Sequence, residues 1–114
     1  MAEDRVWLKE YPPGVPAEID LDPRDSLVGM LDRACSRHAQ KPAFSNMGRT
    51  LGYAEFDALT RRFAAWLQSL PGVVPGERVA IMLPNVLQYP VALFGVWRAG
   101  LVVVNVNPLY TANE

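Results

Sequence analysis

An α/β fold follows from three features of this sequence. Two short apolar runs, Val79–Leu83 and Leu101–Val106, have strand character. A helical pattern lies between them, so strand, helix and strand fit within the roughly 30 residues of a βαβ unit. Amphipathic helical stretches and a short hairpin come before. A crossover between parallel strands is expected to be right-handed, because a right-twisted strand feeding a right-handed helix packs back onto its sheet only that way.

Residues 1–25 read as an extended N-terminal arm, and 26–114 as the first part of a large α/β domain that is incomplete here. Five of the ten prolines, at 12, 13, 16, 23 and 42, crowd the start of the chain. "VWLKEYPPGVP" should therefore run extended over a surface, with Trp7, Leu8 and Tyr11 packing onto the body. From Leu27 the period becomes helical: Leu27, Met30, Leu31, Ala34 and His38 share a face. Asp25 or Ser26 caps this helix and Pro42 limits it. "AFSNMGRTLGY" then reads as a hairpin turning near Met47–Gly48. A second helix carries Phe56, Leu59, Phe63, Trp66, Leu67 and Leu70 on its apolar stripe, and "PG" at 71–72 stops it.

Val79–Leu83 is continuously apolar, the pattern of a parallel strand covered on both faces. Asn85 is placed to cap the next helix, which runs to about Ala99. Pro90 then removes an early hydrogen bond, so that helix is either kinked or starts later. Gly100 ends it, and "LVVVNV" forms the second strand. Thr111 and Glu114 match the S/T-x-x-E/Q capping box that opens helices, which makes "NPLYTANE" the announcement of a further helix.

Composition excludes several classes. Half of the 114 residues are hydrophobic and the formal charge is −1, a globular balance rather than a disordered one. No basic stripe marks a nucleic-acid surface, since Arg61, Arg62 and Arg98 are scattered. A single cysteine, Cys35, forbids an intrachain disulfide and fits a reducing compartment. "MAEDR" lacks the positive start and apolar run of a signal peptide, and no segment approaches the roughly 20 residues that span a bilayer. The expected location is cytoplasmic, with any membrane contact peripheral, at the inner membrane.

No catalytic constellation emerges from the residues themselves. Gly72 and Gly76 are too close together for a P-loop, Glu77 puts an acid where phosphate would sit, and G-x-G-x-x-G is absent. Asp20, Asp22 and Asp25 loosely suggest a calcium loop, but Arg24 and Asp25 occupy its fifth and sixth positions. They read instead as a solvated loop before a helix cap. Cys35 and His38 lie three apart on one helix, the minimum for a thiol nucleophile. No third group orients them, and two ligands in one turn are too few for zinc. Phe63, Trp66, Phe94 and Trp97 fall at helical spacing and are expected in the core.

One long stretch goes further. "ERVAIMLPNVLQYPVALFGVWRAGLVVVNVNPLYTANE" resembles the adenylate-forming superfamily of acyl-CoA synthetases, luciferases and adenylation domains. In that family a strand of the type [DE]RVA…LPN leads through a helix to RAG…VVNP and T..E. "SLVGMLDRACSRHAQKPAF" is similar to its first helix and strand, and "RTLGYAEFDALTRRFAAWL" to its second. The finer text, "VWLKEYPPGVPAEID" with "PNVLQYPVALFG" and "VNVNPLYT", resembles bacterial long-chain fatty-acid–CoA ligases over essentially the whole chain. The resemblance implies a partial N-terminal domain of the adenylate-forming fold.

The activity it implies has two steps. A fatty-acid carboxylate attacks the α-phosphate of ATP, with Mg2+ screening the phosphates, and coenzyme A then displaces AMP. The family's Ser/Thr/Gly-rich phosphate loop, its Tyr-Gly-x-Thr-Glu segment, its ribose-binding aspartate and its C-terminal lysine match nothing here. So no catalytic, cofactor-binding or metal-binding residue is carried onto any position, and the segment is expected to be structural and inactive alone. ATP, Mg2+, CoA and fatty acid belong to the full-length enzyme. The segment's own partner is the remainder of its domain, with self-association through exposed apolar surface when that is absent. A ligase for aryl or medium-chain acids, or a standalone interaction domain, would share the same fold. The motifs favour the long-chain enzymes, and apolar strands needing cover on both faces disfavour a standalone domain.

Overall fold

The computed structural model describes residues 4–114. Residues 1–3 of the expected arm lie outside the described residues. The rest of the arm is not uniformly extended. Val6–Glu10 forms a 3-10 turn, and Trp7 and Tyr11 stand in solvent rather than against the body, with only Leu8 half-buried. The 3-10 turn meets no other helix or strand, so these side chains have no surface to pack on. An ion pair between Arg5 and Glu18 ties the arm to itself instead.

Helix α1 spans Leu27–Arg37, and Ser26 caps it: its Oγ accepts from the Gly29 amide at 3.0 Å. Leu31 and Cys35 are buried, while Leu27 and Met30 remain exposed. The hairpin is as read. Strand β1 (Pro42–Asn46) pairs antiparallel with β2 (Arg49–Gly52) around Met47–Gly48. Both turn residues have positive φ, +48° and +80°, the signature of a type I′ turn. Methionine is strained there and its side chain is solvent-exposed, whereas asparagine tolerates that conformation. Met47→Asn is therefore expected to raise stability by about 0.5 kcal/mol, read as a higher urea midpoint with an unchanged m-value.

Helix α2, Tyr53–Ser69, begins at Gly52 without a side-chain cap. Its buried line is Phe56, Thr60, Ala64 and Leu67, and Trp66 is 55% exposed, against the expectation that it joins the core. Strand β3 covers Arg78–Ile81, helix α3 Gln88–Arg98 and strand β4 Val102–Asn105. β3 and β4 are parallel, from Arg78 opposite Val102 to Ile81 opposite Asn105, so β3-α3-β4 is the expected βαβ unit.

Asn85 is not the cap of α3. The chain turns through Val86 and Leu87 first, with the Tyr89 amide donating to the Val86 carbonyl at 3.0 Å. Pro90 thereby falls in the first turn, where its missing N–H has no intrahelical partner to lose. The other end closes as expected. Gly100 takes φ +79°, its amide donates to Trp97 O, and the Leu101 amide donates to Val96 O. These are the two bonds of a Schellman motif.

Two buried clusters share α2 as their common wall. Leu31, Cys35, Leu51 and Phe56 form one, between α1, the hairpin and the start of α2. Ala64, Leu67, Ile81, Val96, Ala99 and Leu101 form the other, between α2 and the βαβ unit. Helices α2 and α3 approach so closely that a Cβ on Gly95 would sit 2.5 Å from Phe63 Cδ1 and 3.2 Å from Phe63 Cβ. The sheet is covered on one face only. Ile81 is buried and Val79 and Val103 half-buried beneath α3, while Val102, Val104 and Met82 are exposed. The expectation that both strand faces are covered is not met within this chain.

Candidate functional site

The strongest concentration of charge lies where α1, α2 and α3 meet. Arg98, read from the sequence as one of three scattered basic residues, has a side chain only 6% exposed. Its guanidinium bonds Asp57 Oδ1 at 2.6 Å and Thr60 Oγ1 at 3.0 Å, and pairs with Asp32 at 2.8 Å. Arg61 reaches the same two carboxylates from outside, Asp57 Oδ2 at 2.9 Å and Asp32 Oδ1 at 3.1 Å. The hydrogen bond to Asp57, reinforced by its charge, holds the Arg61 guanidinium above its ordinary pKa. Both carboxylates and both guanidinium groups are paired within the cluster, so its chemistry is cohesion among three helices rather than catalysis. The sequence held one clue, the Asp57 and Arg61 spacing of i, i+4. Asp32 and Arg98 come together only through tertiary packing.

The other candidates disperse. Cys35 is buried among Leu31, Leu51 and Phe56, and burial, helped by the Asp57 charge, pushes its thiol pKa up. A raised pKa is the opposite of what a thiolate nucleophile needs. His38 caps the end of α1 and faces Tyr53 at 5.8 Å between ring centroids. Asp22 is held by Arg24, at 2.8 Å, which keeps its carboxyl below the usual range, and Asp25 pairs with Arg33 at 2.9 Å. Gly72 and Gly76 take positive φ in open turns and cradle nothing. Phe94 meets Phe56 and Trp97 edge-on at 5.7 and 5.1 Å, while Phe63 stacks on the exposed Trp66. Among the described residues no three histidine, cysteine or acidic side chains gather within metal-binding reach, so none is assigned to Mg2+.

A crevice opens beyond the carboxyl ends of β3 and β4, the place where open α/β sheets hold ligands. Asn85, Tyr89, Asn105 and Asn107 line it together with Pro84, Pro108 and Tyr110. Tyr89 donates its hydroxyl to Asn105 Oδ1 at 2.9 Å, and the Asn107 side chain accepts from the Leu109 amide at 2.9 Å. Asn46 of the hairpin donates to the Asn85 carbonyl at 3.1 Å, so strand, hairpin and crevice are braced as one. At Thr111 the Glu114 carboxylate bonds back to the threonine amide, half of the capping box expected there, while the Glu114 amide donates to the Thr111 carbonyl at 3.2 Å. The crevice mixes these polar groups with the apolar side chains of Ile81, Leu83, Val106 and Leu109, and its lining includes no aspartate, glutamate, histidine or lysine.

Fold and site together define an α/β scaffold carrying a parallel βαβ unit with an amide-lined mouth. The AMP-binding enzyme family model matches residues 31–114. The chain is 55% identical over 111 residues to the long-chain-fatty-acid–CoA ligase of Yersinia pestis, covering 97% of this chain and 20% of that protein. Among solved structures, a benzoate CoA ligase from Burkholderia xenovorans LB400 superposes with a TM-score of 0.69 at 34% identity, covering 74% of this chain and 17% of that one. A fatty acyl CoA synthetase of Mycobacterium tuberculosis gives 0.68 at 27% identity, over 75% of this chain and 17% of that one.

This chain belongs to the AMP-binding enzyme family. It spans about a fifth of the length of the curated ligases it matches, 20% in the case of the Yersinia protein. No helix among the described residues is long and apolar enough to cross a membrane.

Proposed function

We propose that these residues form the opening part of the large N-terminal domain of a long-chain fatty-acid–CoA ligase. The whole enzyme makes acyl-CoA from fatty acid, ATP and CoA through an acyl-adenylate, in the cytoplasm and at the inner membrane surface. The part described here is scaffold: it supplies the first βαβ unit and no catalytic or nucleotide-binding group. One observation carries the reading. The 55% identity runs through 97% of the chain yet occupies 20% of the relative, while the β3–β4 pair shows an apolar face and two open edges. An isolated parallel pair of this kind is built to be continued by further strands and covered on its second face.

The radius of gyration is large, and the outlying arm contributes to it. It is 18.3 Å, against about 13 Å for a compact domain of similar length. Without its neighbours the chain is expected to self-associate through the open strand edges.

The residues present do not fit Mg2+ or a nucleotide: no acidic cluster and no phosphate-cradling glycine loop meet a helix start among the described residues. Split-enzyme complementation tests the proposal. The purified 114-residue chain should give no palmitate-dependent ATP–pyrophosphate exchange. Co-expressed with a long-chain ligase lacking the matching fifth, it should restore that exchange. Robust exchange by the chain alone, or no restoration with a folded partner, would sink the reading.

A further inference from the structure

We draw no further inference here: the strongest candidate, the surface patch of exposed apolar side chains that Val6, Trp7, Tyr11, Ile19 and Leu21 form along the N-terminal arm, carries nothing because nothing in the structure shows what covers it in a chain that spans 20% of the Yersinia ligase.

Discussion

Replacing Arg98 with alanine is expected to cost about 3 kcal/mol, the lower end of the range for breaking a buried ion pair. The cause is what remains behind. Asp57 and Asp32, 26% and 44% exposed, would keep only Arg61 as their cation. Thr60 is fully buried, and its hydroxyl oxygen would lose the donor it now accepts from. Water still reaches both carboxylates and screens their repulsion, which keeps the loss at that lower end. Arg98→Met should fare little better, since filling the volume does not neutralise the acids. Urea unfolding followed by circular dichroism gives the number. A loss under about 1 kcal/mol would place this cluster among ordinary surface pairs and refute its role as the tie between three helices.

The second large effect is expected at Gly95. A valine there should destabilise by about 3 kcal/mol, because overpacking at a close helix contact forces backbone shifts. The obstacle is Phe63 Cβ as well as its ring, so no simple rotation of the phenylalanine relieves it. Alanine should cost less, since its gain of about 1 kcal/mol in helix propensity offsets part of the clash. Phe63→Leu combined with Gly95→Ala should recover stability beyond the sum of the single changes, and thermal unfolding of the three variants forms the cycle. Additivity would mean that the two helices already have room between them.

These two sites also show what the sequence conceals. Element order, the hairpin turn and the parallel unit are legible because local chemistry sets them: Ser26, Gly48 and Gly100 each satisfy a backbone need within a few residues. The buried face of α2 is less so. At 100° per residue Trp66 lies about 80° round from Phe56, at the margin of the stripe its size suggests. Thr60 and Ala64 are buried instead, on the face that the packing of α1 and α3 covers. Size read along one helix cannot reveal a neighbour's distance. Arg98 has the same origin: its partners are 38 to 66 residues earlier, and no periodicity links them. Asn85 looked like a cap because its residue type suits one, but Pro90 delays the helix to Gln88. The Trp7 and Tyr11 expectation failed for want of a surface to pack on, which depends on the body rather than the arm.

One further consequence belongs to the glycine at the end of α3. Parallel strands have no hairpin to set their alignment, and a slip of one residue exchanges their two faces. Here the Gly76 amide donates to the Gly100 carbonyl at 2.9 Å, and the Val102 amide to the Glu77 carbonyl at 2.9 Å. The first bond precedes the ladder, and the second belongs to its first rung, Arg78 opposite Val102. They act as a ratchet stop: with the helix end already pinned by its own closing turn, β4 has one favoured place to start. Misalignment would bury Arg78 and eject Ile81. The Gly76–Gly100 clasp favours the native start of β4 by about 1 kcal/mol, and the burial of Ile81 adds to that preference.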